Sequence, residues 1–354
     1  MCLCTKHKEP LVARRNIKVY KHARYIDLQN KIAYSPCQNT KFKLDEDFIP
    51  ERQTVDMRGL SLYEINGGVI HACLFPDFSR GECLEAYIPE GTKYWIGVDH
   101  MTVCAEKLVV LSKPVKLEDN PGIDPIMAEM FYDSSEEKNG VKVGDYLVTT
   151  EKGKEVYYKP SQLANVPKER IKGMVVGFNG STPEVADIFH IIKSVMIDSE
   201  WDSTLDKHIS NSYKAEKDMD GYKHTIAWEA VCKSNKSRFE AYHAVKELGD
   251  DHYIPALGEM KLFMDNILTI AASCAIVGFF LPIQMGQVFW SSTEFSLRDC
   301  WDCRIRIDGW RRYCYYKYDR DSIVPFVASA QMKKKNRVKR WITRATGFIR
   351  KLTQ

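Results

Sequence analysis

Short apolar-rich runs with polar residues between them follow one another through the first third of the chain. Four of these runs cover residues 17–21, 69–74, 84–88 and 107–111, and Gly, Pro and Asp residues separate them. Short runs of apolar, β-branched and aromatic residues between turn residues are typical of β-strands. The pattern predicts a compact β-rich domain over residues 1–117, antiparallel or α+β in class.

A polar segment over residues 118–140 comes next, and its Asp, Pro, Gly and Ser residues indicate a linker, in which 126–132 can form a short helix. Residues 141–330 then combine strand-like runs and helical stretches with aromatic-rich strands over 288–327. These residues predict a second domain. An α+β class follows for the chain as a whole.

The longest uncharged apolar stretch covers residues 267–283. This length is at the short limit for crossing a bilayer, and the stretch includes Ser273, Cys274 and Gly278. Glycine commonly follows the last turn of a helix. The stretch therefore predicts a buried core helix that ends near Gly278 rather than a membrane span.

Apolar residues recur at steps of three and four in the tail, residues 331–354, and basic residues occupy most of the positions between them. This spacing predicts a basic amphipathic helix. An apolar stripe favours docking on a protein or membrane surface over contact with phosphates alone, which needs no such stripe. The residues predicted to dock are Lys339, Arg340, Trp341, Arg344, Phe348 and Arg350.

Charge is unevenly distributed along the 354 residues. The chain has a net charge of +4, and the tail holds nine basic and no acidic residues, which leaves −5 for residues 1–330. Eleven cysteines are scattered without the spacing of a disulfide scaffold, so we expect most of them to be reduced and buried. Residues 1–15 have no apolar core of a secretory signal, and we expect the protein to be made and kept on the cytosolic side or to leave by cell lysis.

Three segments, 143–147, 252–260 and 289–295, resemble in order the motifs of C-type-lectin-fold domains from Bacteroides and their phages, the kind diversified by retroelements. The segment 321–327 is similar to the closing strand of that family, although Val324 stands where the family has Arg. The resemblance implies a C-type-lectin-like α+β display domain over residues 141–330. Residues 290–294, which carry the most specific motif, are interpreted as scaffold.

Arg, Asp, Tyr and Trp crowd the segment 295–322. Tyr, Trp and Arg provide large contact areas at low entropic cost, as in binding hot spots. The alternative is an ordinary hydrated strand face with Arg–Asp pairs, but the resemblance implies that this segment is the displayed ligand-binding face. The predicted binding residues are Arg298, Trp301, Arg304, Arg306, Trp310, Arg312, Tyr313, Tyr315, Tyr316, Tyr318 and Arg320.

The sequence also offers candidate chemistry. A calcium-dependent sugar site needs clustered oxygen ligands, and only Trp301-Asp302 of the usual motifs is present. Cys300 and Cys303 have redox or zinc spacing, and the lectin-type fold includes formylglycine-generating enzymes that use paired cysteines, but no second pair of ligands accompanies them. We expect no catalytic residue, no metal and no cofactor.

The N-terminal region resembles an uncharacterised module of gut Bacteroides and their phages through Gly68-Val-Ile-His-Ala and 87–97. Together the patterns lead us to expect a phage virion surface protein, made in the host cytoplasm, with a β-rich anchoring or assembly domain and a lectin-like domain for a host-surface or mucosal glycan or protein. We expect other virion proteins as partners, a homo-oligomer, and no sequence-specific nucleic acid. The alternatives are a virion assembly protein that docks through its tail and an enzyme of the formylglycine-generating type.

Overall fold

The computed structural model describes residues 2–4, 9–35, 41–49, 57–58, 61–63, 69–74, 82–97, 102–116, 122–200, 208–233, 235, 238–281, 283, 286–306, 309–330 and 332–333. Helices and mostly antiparallel strands are mixed along these residues, which is compatible with the α+β class. The predicted tail helix and its six docking residues lie outside the described residues, so they stay a prediction.

The strands are β1 (Cys2–Cys4), β2 (Leu11–Val12), β3 (Ile17–Ala23), β4 (Tyr25–Asp27), β5 (Ile32–Tyr34), β6 (Lys41–Lys43), β7 (Asp47–Phe48), β8 (Met57–Arg58), β9 (Ser61–Tyr63), β10 (Ile70–Cys73), β11 (Glu82–Ile88), β12 (Lys93–Ile96), β13 (Thr102–Ala105), β14 (Leu108–Pro114), β15 (Glu137–Lys138), β16 (Val141–Lys142), β17 (Tyr146–Thr149), β18 (Glu155–Tyr158), β19 (Ile171–Asn179), β20 (Thr182–Ala186), β21 (Ile192–Val195), β22 (His252–Tyr253), β23 (Val288–Glu294), β24 (Asp299–Arg306), β25 (Gly309–Tyr316), β26 (Asp321–Ile323) and β27 (Phe326–Val327). The α-helices are α1 (Pro125–Asp133), α2 (Ser212–Ala215), α3 (Gly221–Cys232), α4 (Glu240–Leu248), α5 (Leu257–Asp265) and α6 (Ile267–Ile276).

The chain forms two compact units, and neither is continuous in sequence. Unit 1 comprises Met1–Ser134, Leu268–Gln287 and Ile305–Trp310. Unit 2 comprises Ser135–Ile267, Val288–Arg304 and Arg311–Gln354. Composition predicts domains that are each continuous in sequence, so it does not include these later segments in the first domain. The predicted boundaries stay a prediction.

Unit 1 is built on an eight-stranded sheet in the order β2-β12-β13-β10-β3-β11-β14-β7. The four short apolar-rich runs in the sequence are found here as β3, β10, β11 and β14, which confirms them as strands. The central pair β3–β11 is in register from Ile17 opposite Ile88 to Ala23 opposite Glu82. One face of this sheet buries a core of small and β-branched side chains, because residues two apart on a strand point to the same side.

Helix α1 lies within the segment that composition predicts as a linker. Asp124 caps it, because its carboxylate accepts a hydrogen bond from the Ile126 N–H at 2.9 Å, and Pro125 occupies the first turn. The second carboxylate oxygen of Asp124 accepts from the Lys18 N–H at 3.0 Å. The cap therefore also ties the helix to β3, and Met127 and Phe131 of the helix join the core of unit 1.

Helix α6 corresponds to the apolar stretch at 267–283. It ends at Ile276, and Gly278 follows with a φ of +72°. The prediction of a core helix that ends near this glycine is confirmed, since Leu268 and Ala272 are buried in the core of unit 1. No helix within the described ranges is long and apolar enough to cross a membrane.

Unit 2 contains two larger sheets. The six-stranded sheet has the order β18-β17-β19-β20-β27-β22, and the five-stranded sheet has the order β21-β26-β23-β24-β25. In the second sheet β23 pairs with β24 antiparallel and with β26 parallel. Helices α3 and α4 pack on one face of it through a core that includes Trp228, Tyr242 and Trp290. This sheet carries most of the predicted binding residues.

Candidate binding site on strands β24 and β25

The motif at 290–294 forms the buried centre of the five-stranded sheet. The Trp290 indole N–H donates to the Val195 carbonyl at 3.1 Å, and the Ser291 hydroxyl donates to the Trp301 carbonyl at 2.8 Å. Thr293 donates to the Asp218 carboxylate at 2.6 Å and accepts from the Leu257 N–H at 2.9 Å. These contacts agree with the interpretation of the motif as scaffold, because every hydroxyl is used inside the protein.

Glu294, the last residue of the same motif, belongs to a fully buried ion pair. Glu294 on β23 contacts Lys317, which follows β25, and both side chains are almost completely excluded from solvent. A buried charge requires a partner of opposite sign, because an isolated ion loses its hydration. The pair thus fixes the end of β25 to the centre of the sheet.

The segment at 252–260 packs its acidic residue inside the unit. The Glu259 carboxylate accepts from the Ala256 N–H at 2.7 Å at the start of α5, and the Tyr253 hydroxyl lies 3.3 Å from it and 3.4 Å from Glu184. Burial raises the pKa of Glu259 well above its usual range, and the nearby Glu184 carboxylate raises it further. Glu259 is fully buried and faces no open surface.

Three of the predicted binding residues form one cluster, the arginine–tyrosine cluster of Arg304, Tyr313 and Tyr315. The Arg304 guanidinium carbon lies 5.4 Å from the centroid of each tyrosine ring, and the guanidinium donates to the Tyr315 hydroxyl at 3.1 Å. A guanidinium within about 6 Å of an aromatic face is attracted by the ring. All three side chains are half-buried, so the cluster presents a preorganised edge to solvent.

A second group, the tyrosine pair of Tyr316 and Tyr318, lies at the end of β25. The two rings are stacked with centroids 5.2 Å apart and planes inclined by 12°. Tyr316 is 45 % exposed, which is high for a large aromatic side chain. Stacked, exposed tyrosines provide contact area that is already ordered before a ligand arrives.

Trp301 does not belong to the exposed face. It is buried, its indole N–H donates to the Ile209 carbonyl at 2.7 Å, and its ring meets Phe295 edge to face at 5.2 Å. Strand alternation places Trp301 on the opposite side of β24 from the half-buried Arg304. The structure assigns Trp301 to the scaffold rather than to the binding residues.

The predicted arginines divide into paired and exposed residues. Arg312 forms an ion pair with Glu216, and Arg320 forms one with Glu240 at 2.7 Å and donates to the Ser194 carbonyl at 2.8 Å. These contacts match the alternative of an ordinary strand face with ion pairs. Arg298 is exposed beside Leu297.

Two further predicted binding residues fall in the part of the strands assigned to unit 1. Trp310 is half-buried at the start of β25. Arg306 ends β24, and its side chain lies outside the described residues.

Two acidic residues were not among the predicted binding residues. Asp302 is fully buried on β24, and Asp321 is half-buried on β26. Burial raises the pKa of Asp302 to about 7, and the negative charge of Asp321 contributes to the rise. The only signal in the sequence is their position among arginines and tyrosines, which does not separate a buried carboxylate from an exposed one.

The cysteines of β24 do not form an accessible redox pair. Cys300 and Cys303 are both fully buried, and burial raises the pKa of both thiols, so neither ionises at neutral pH. Cys314 on β25 is exposed. Among the residues described, no three or more His, Cys, Asp or Glu side chains are grouped to hold a metal ion.

Comparison with known proteins identifies no family for this chain. No protein-family model matches the chain, and no curated protein matches it. The chain is similar to the crystal structure of a fimbrial protein from Bacteroides ovatus, with a TM-score of 0.40 and 11 % sequence identity over 88 % of this chain and 70 % of that one. The lectin-type fold of residues 141–330 and the resemblance of the N-terminal region stay predictions.

Proposed function

We propose that this chain is a surface protein of a phage virion and that strands β24 and β25 display its binding residues to a host-surface or mucosal glycan or protein. The observation that supports the proposal is the combination of an ordered, partly exposed arginine–tyrosine cluster with a fully buried scaffold directly behind it. Other virion proteins would anchor the chain, and the proposal includes a homo-oligomer in the particle.

The chemistry of the face fits recognition better than catalysis. The tyrosine pair and the arginine–tyrosine cluster provide aromatic faces, hydroxyl groups and one guanidinium. Such groups stack on sugar rings or apolar side chains and exchange hydrogen bonds with polar ones. The groups that could act as nucleophiles on β24 are buried thiols with raised pKa values.

The proposal is tested by replacing the tyrosine pair. The full chain with Tyr316→Ala and Tyr318→Ala is compared with the unaltered chain for retention on mucin-coated beads and on intact Bacteroides cells. We expect at least a tenfold loss of binding, equivalent to about 1.4 kcal/mol, with an unchanged melting temperature, because neither ring belongs to the cores of unit 2.

Tyr25→Ala is the matched control, since Tyr25 is equally aromatic and 59 % exposed but lies on β4 in unit 1. Retention of the double variant at the level of the control would overturn the assignment of the face. Mass spectrometry of purified particles tests the virion location separately.

A virion assembly protein is the second candidate, and the amphipathic pattern of the tail favours it. In that case the basic tail would dock on an acidic protein surface, and the face on β24 and β25 would pack against neighbours. Removal of residues 333–354 distinguishes the two functions: lost incorporation into particles with retained binding to mucin supports a docking tail alongside the displayed face.

A further inference from the structure

A cavity of about 480 Å³ lies in unit 2, at the edge of the six-stranded sheet where β18 pairs with β17. Small-molecule sites usually enclose about 300–1,000 Å³, so this volume is sufficient for a small ligand. Three apolar side chains, four with a hydroxyl or amide group and three charged side chains line the cavity. Such a mixture is typical of a site that buries part of a ligand and also fixes its orientation.

The hairpin of β17 and β18 forms one wall of the cavity. Tyr146 pairs with Tyr158 and Val148 with Val156 across the two strands. Residues directly opposite each other, and residues two apart on one strand, point to the same face of a hairpin. Val148, which is buried, and Tyr158, which is half-buried, therefore lie together on the face that lines the cavity.

The segment 160–170 forms the other wall, and its backbone is held by its own hydrogen bonds. It contains two 3-10 turns, Pro160–Asn165 and Lys168–Arg170. The Arg170 N–H donates to the Pro167 carbonyl at 3.0 Å, and proline restricts the backbone at both Pro160 and Pro167. This wall is therefore ordered before a ligand arrives, which lowers the entropic cost of binding.

Charged side chains at the cavity favour an anion. A guanidinium nitrogen of Arg170 lies 3.1 Å from the Glu151 carboxylate, and Lys152 adds a second cation. A guanidinium carries five N–H donors, so the contact with Glu151 leaves donors for another acceptor. Residues 150–172 hold six basic and three acidic residues, a net charge of +3, whereas residues 1–330 together sum to −5. The cavity is therefore a basic site on an acidic body.

The balance of charge selects among anions. Two cations and one carboxylate leave a single net positive charge at the cavity. A phosphate group carries nearly two negative charges, and Glu151 would repel it more strongly than it repels a group with one. A carboxylate carries one charge and forms paired hydrogen bonds with a guanidinium. The charged group of the ligand is thus best matched by a carboxylate.

The uncharged part of the lining fits a ligand with many hydroxyl groups. Thr149, Thr150 and Asn165 bring hydroxyl and amide groups that both donate and accept hydrogen bonds. Val166 and Pro167 add apolar surface on the wall that faces the hairpin. A sugar ring combines hydroxyl groups around its edge with an apolar C–H face, and an aromatic ring provides a flat apolar surface for that face.

We propose that this cavity binds a sugar unit that carries a carboxylate, as uronic and sialic acids do. Arg170 and Lys152 bind the carboxylate, the Tyr158 ring packs against the sugar ring, and Thr149 and Asn165 exchange hydrogen bonds with its hydroxyl groups. The inference goes beyond the proposed function, because the cavity lies on the six-stranded sheet and not on β24 and β25.

The experiment titrates the full chain at pH 7 with two acidic sugars, methyl β-glucuronide and the methyl α-glycoside of N-acetylneuraminic acid, followed by saturation-transfer NMR. Each is compared with its own carboxamide, which keeps the ring and removes the charge. Acetate, a carboxylate without a ring, is the third comparison. We expect at least one acidic sugar to bind with a dissociation constant of about 1 mM, the strength expected of so small a ligand, and its carboxamide and acetate to bind at least about tenfold more weakly.

Two variants locate the site. Arg170→Gln and Lys152→Gln each remove one cation at partly or fully exposed positions, so the fold is expected to keep its melting temperature. We expect Arg170→Gln to weaken binding of the acidic sugar about tenfold and Lys152→Gln to weaken it less, because only the guanidinium forms paired hydrogen bonds with a carboxylate. Arg24→Gln is the control, since Arg24 is an exposed arginine of unit 1 and its loss leaves binding unchanged.

Four results would contradict the inference: no binding of either acidic sugar, equal binding of the carboxamide, equal binding of acetate, or unchanged binding by Arg170→Gln. The proposed function fails separately. If the double variant Tyr316→Ala and Tyr318→Ala loses the acidic sugar, the sugar binds at the displayed face and the cavity is wrong. If the chain binds the acidic sugar through Arg170 but is retained on neither mucin nor cells, the cavity site stands and the proposed function is wrong.

Discussion

Two ionisable groups in the five-stranded sheet are buried with opposite consequences. Glu294 has Lys317 as its partner inside the protein, so the two charges compensate each other. Asp302 has no such partner, and its pKa rises to about 7 because burial disfavours the charged form. The first group stabilises the fold only as a pair, and the second costs stability above neutral pH.

Removal of one member of the buried pair is therefore predicted to be severe. Lys317→Met leaves the Glu294 carboxylate without a cation, and we expect a loss of about 3–5 kcal/mol in the free energy of unfolding, measured by urea denaturation. Lys233→Met is the control, since Lys233 pairs with Glu229 at the surface and its loss costs less than about 1 kcal/mol. Equal effects of the two substitutions would show that the pair at Glu294 is not buried as described.

The raised pKa of Asp302 predicts that the free energy of unfolding depends on pH. In the unfolded chain an aspartate ionises near pH 4, whereas the folded protein keeps the proton up to about pH 7. The folded state therefore holds the extra proton between these values, and its stability falls as the pH rises from 4 to 7, by up to roughly 4 kcal/mol.

Asp302→Asn removes this dependence. We expect the variant to be more stable than the unaltered chain at pH 8. At pH 4 we expect the two proteins to differ little, because the side chain at position 302 is neutral in both folded proteins. Urea midpoints across this range measure the effect. Parallel curves for the two proteins would contradict the raised pKa.

At the scale of elements, helix α5 begins where two segments approach closely. The Gly258 N–H donates to the Asp218 carbonyl at 2.9 Å. A Cβ on Gly258 would lie 2.5 Å from that oxygen and 2.8 Å from the Met219 sulfur. The glycine in the segment at 252–260 is therefore required by the packing of the helix start against residues 216–219.

Gly258→Ala is predicted to lower the free energy of unfolding by about 1–3 kcal/mol, because backbone atoms cannot move aside easily. Gly122→Ala serves as the comparison. The nearest atom to a Cβ there is the Cβ of Ala275 at 4.0 Å, so we expect a change close to zero. Thermal or urea denaturation of both variants measures the difference, and a neutral Gly258→Ala would mean that the close approach is relieved at little cost.

Local patterns predicted elements well where one segment determines its own structure. Strands β3, β10, β11 and β14 follow from short apolar-rich runs between turn residues, and the end of α6 follows from an apolar stretch and Gly278. The site was harder to predict. Composition placed Arg304 and its tyrosines among the predicted binding residues, but the burial of Trp301 depends on contacts with Ile209 and Phe295, which no local pattern contains.

At the scale of the whole molecule, the two units exchange segments of the chain. Unit 1 includes Leu268–Gln287, which begins more than a hundred residues after Ser134, where the first segment of that unit ends. Composition marks polar segments as boundaries, and it does not show which unit a later apolar helix will join. The predicted division at 118–140 therefore leaves out α6, whose Leu268 and Ala272 lie in the core of unit 1.

A fragment of residues 1–140 is consequently predicted to fold poorly by itself. Without α6, apolar groups of Ile123, Met127 and Phe131 lose contacts within their core. We expect a broad, weakly cooperative thermal transition and increased binding of a hydrophobic dye, compared with the full chain. A fragment with a sharp transition and no dye binding would show that this helix is dispensable.

The position of β25 has a consequence for how the protein behaves at high local concentration. Among the described strands it is the edge of its sheet, and an edge strand can template pairing with another copy. Arg311 and Arg312 are exposed in the middle of it. Two copies that met edge to edge would bring like charges together, so these arginines would keep crowded neighbours from joining into a continuous sheet.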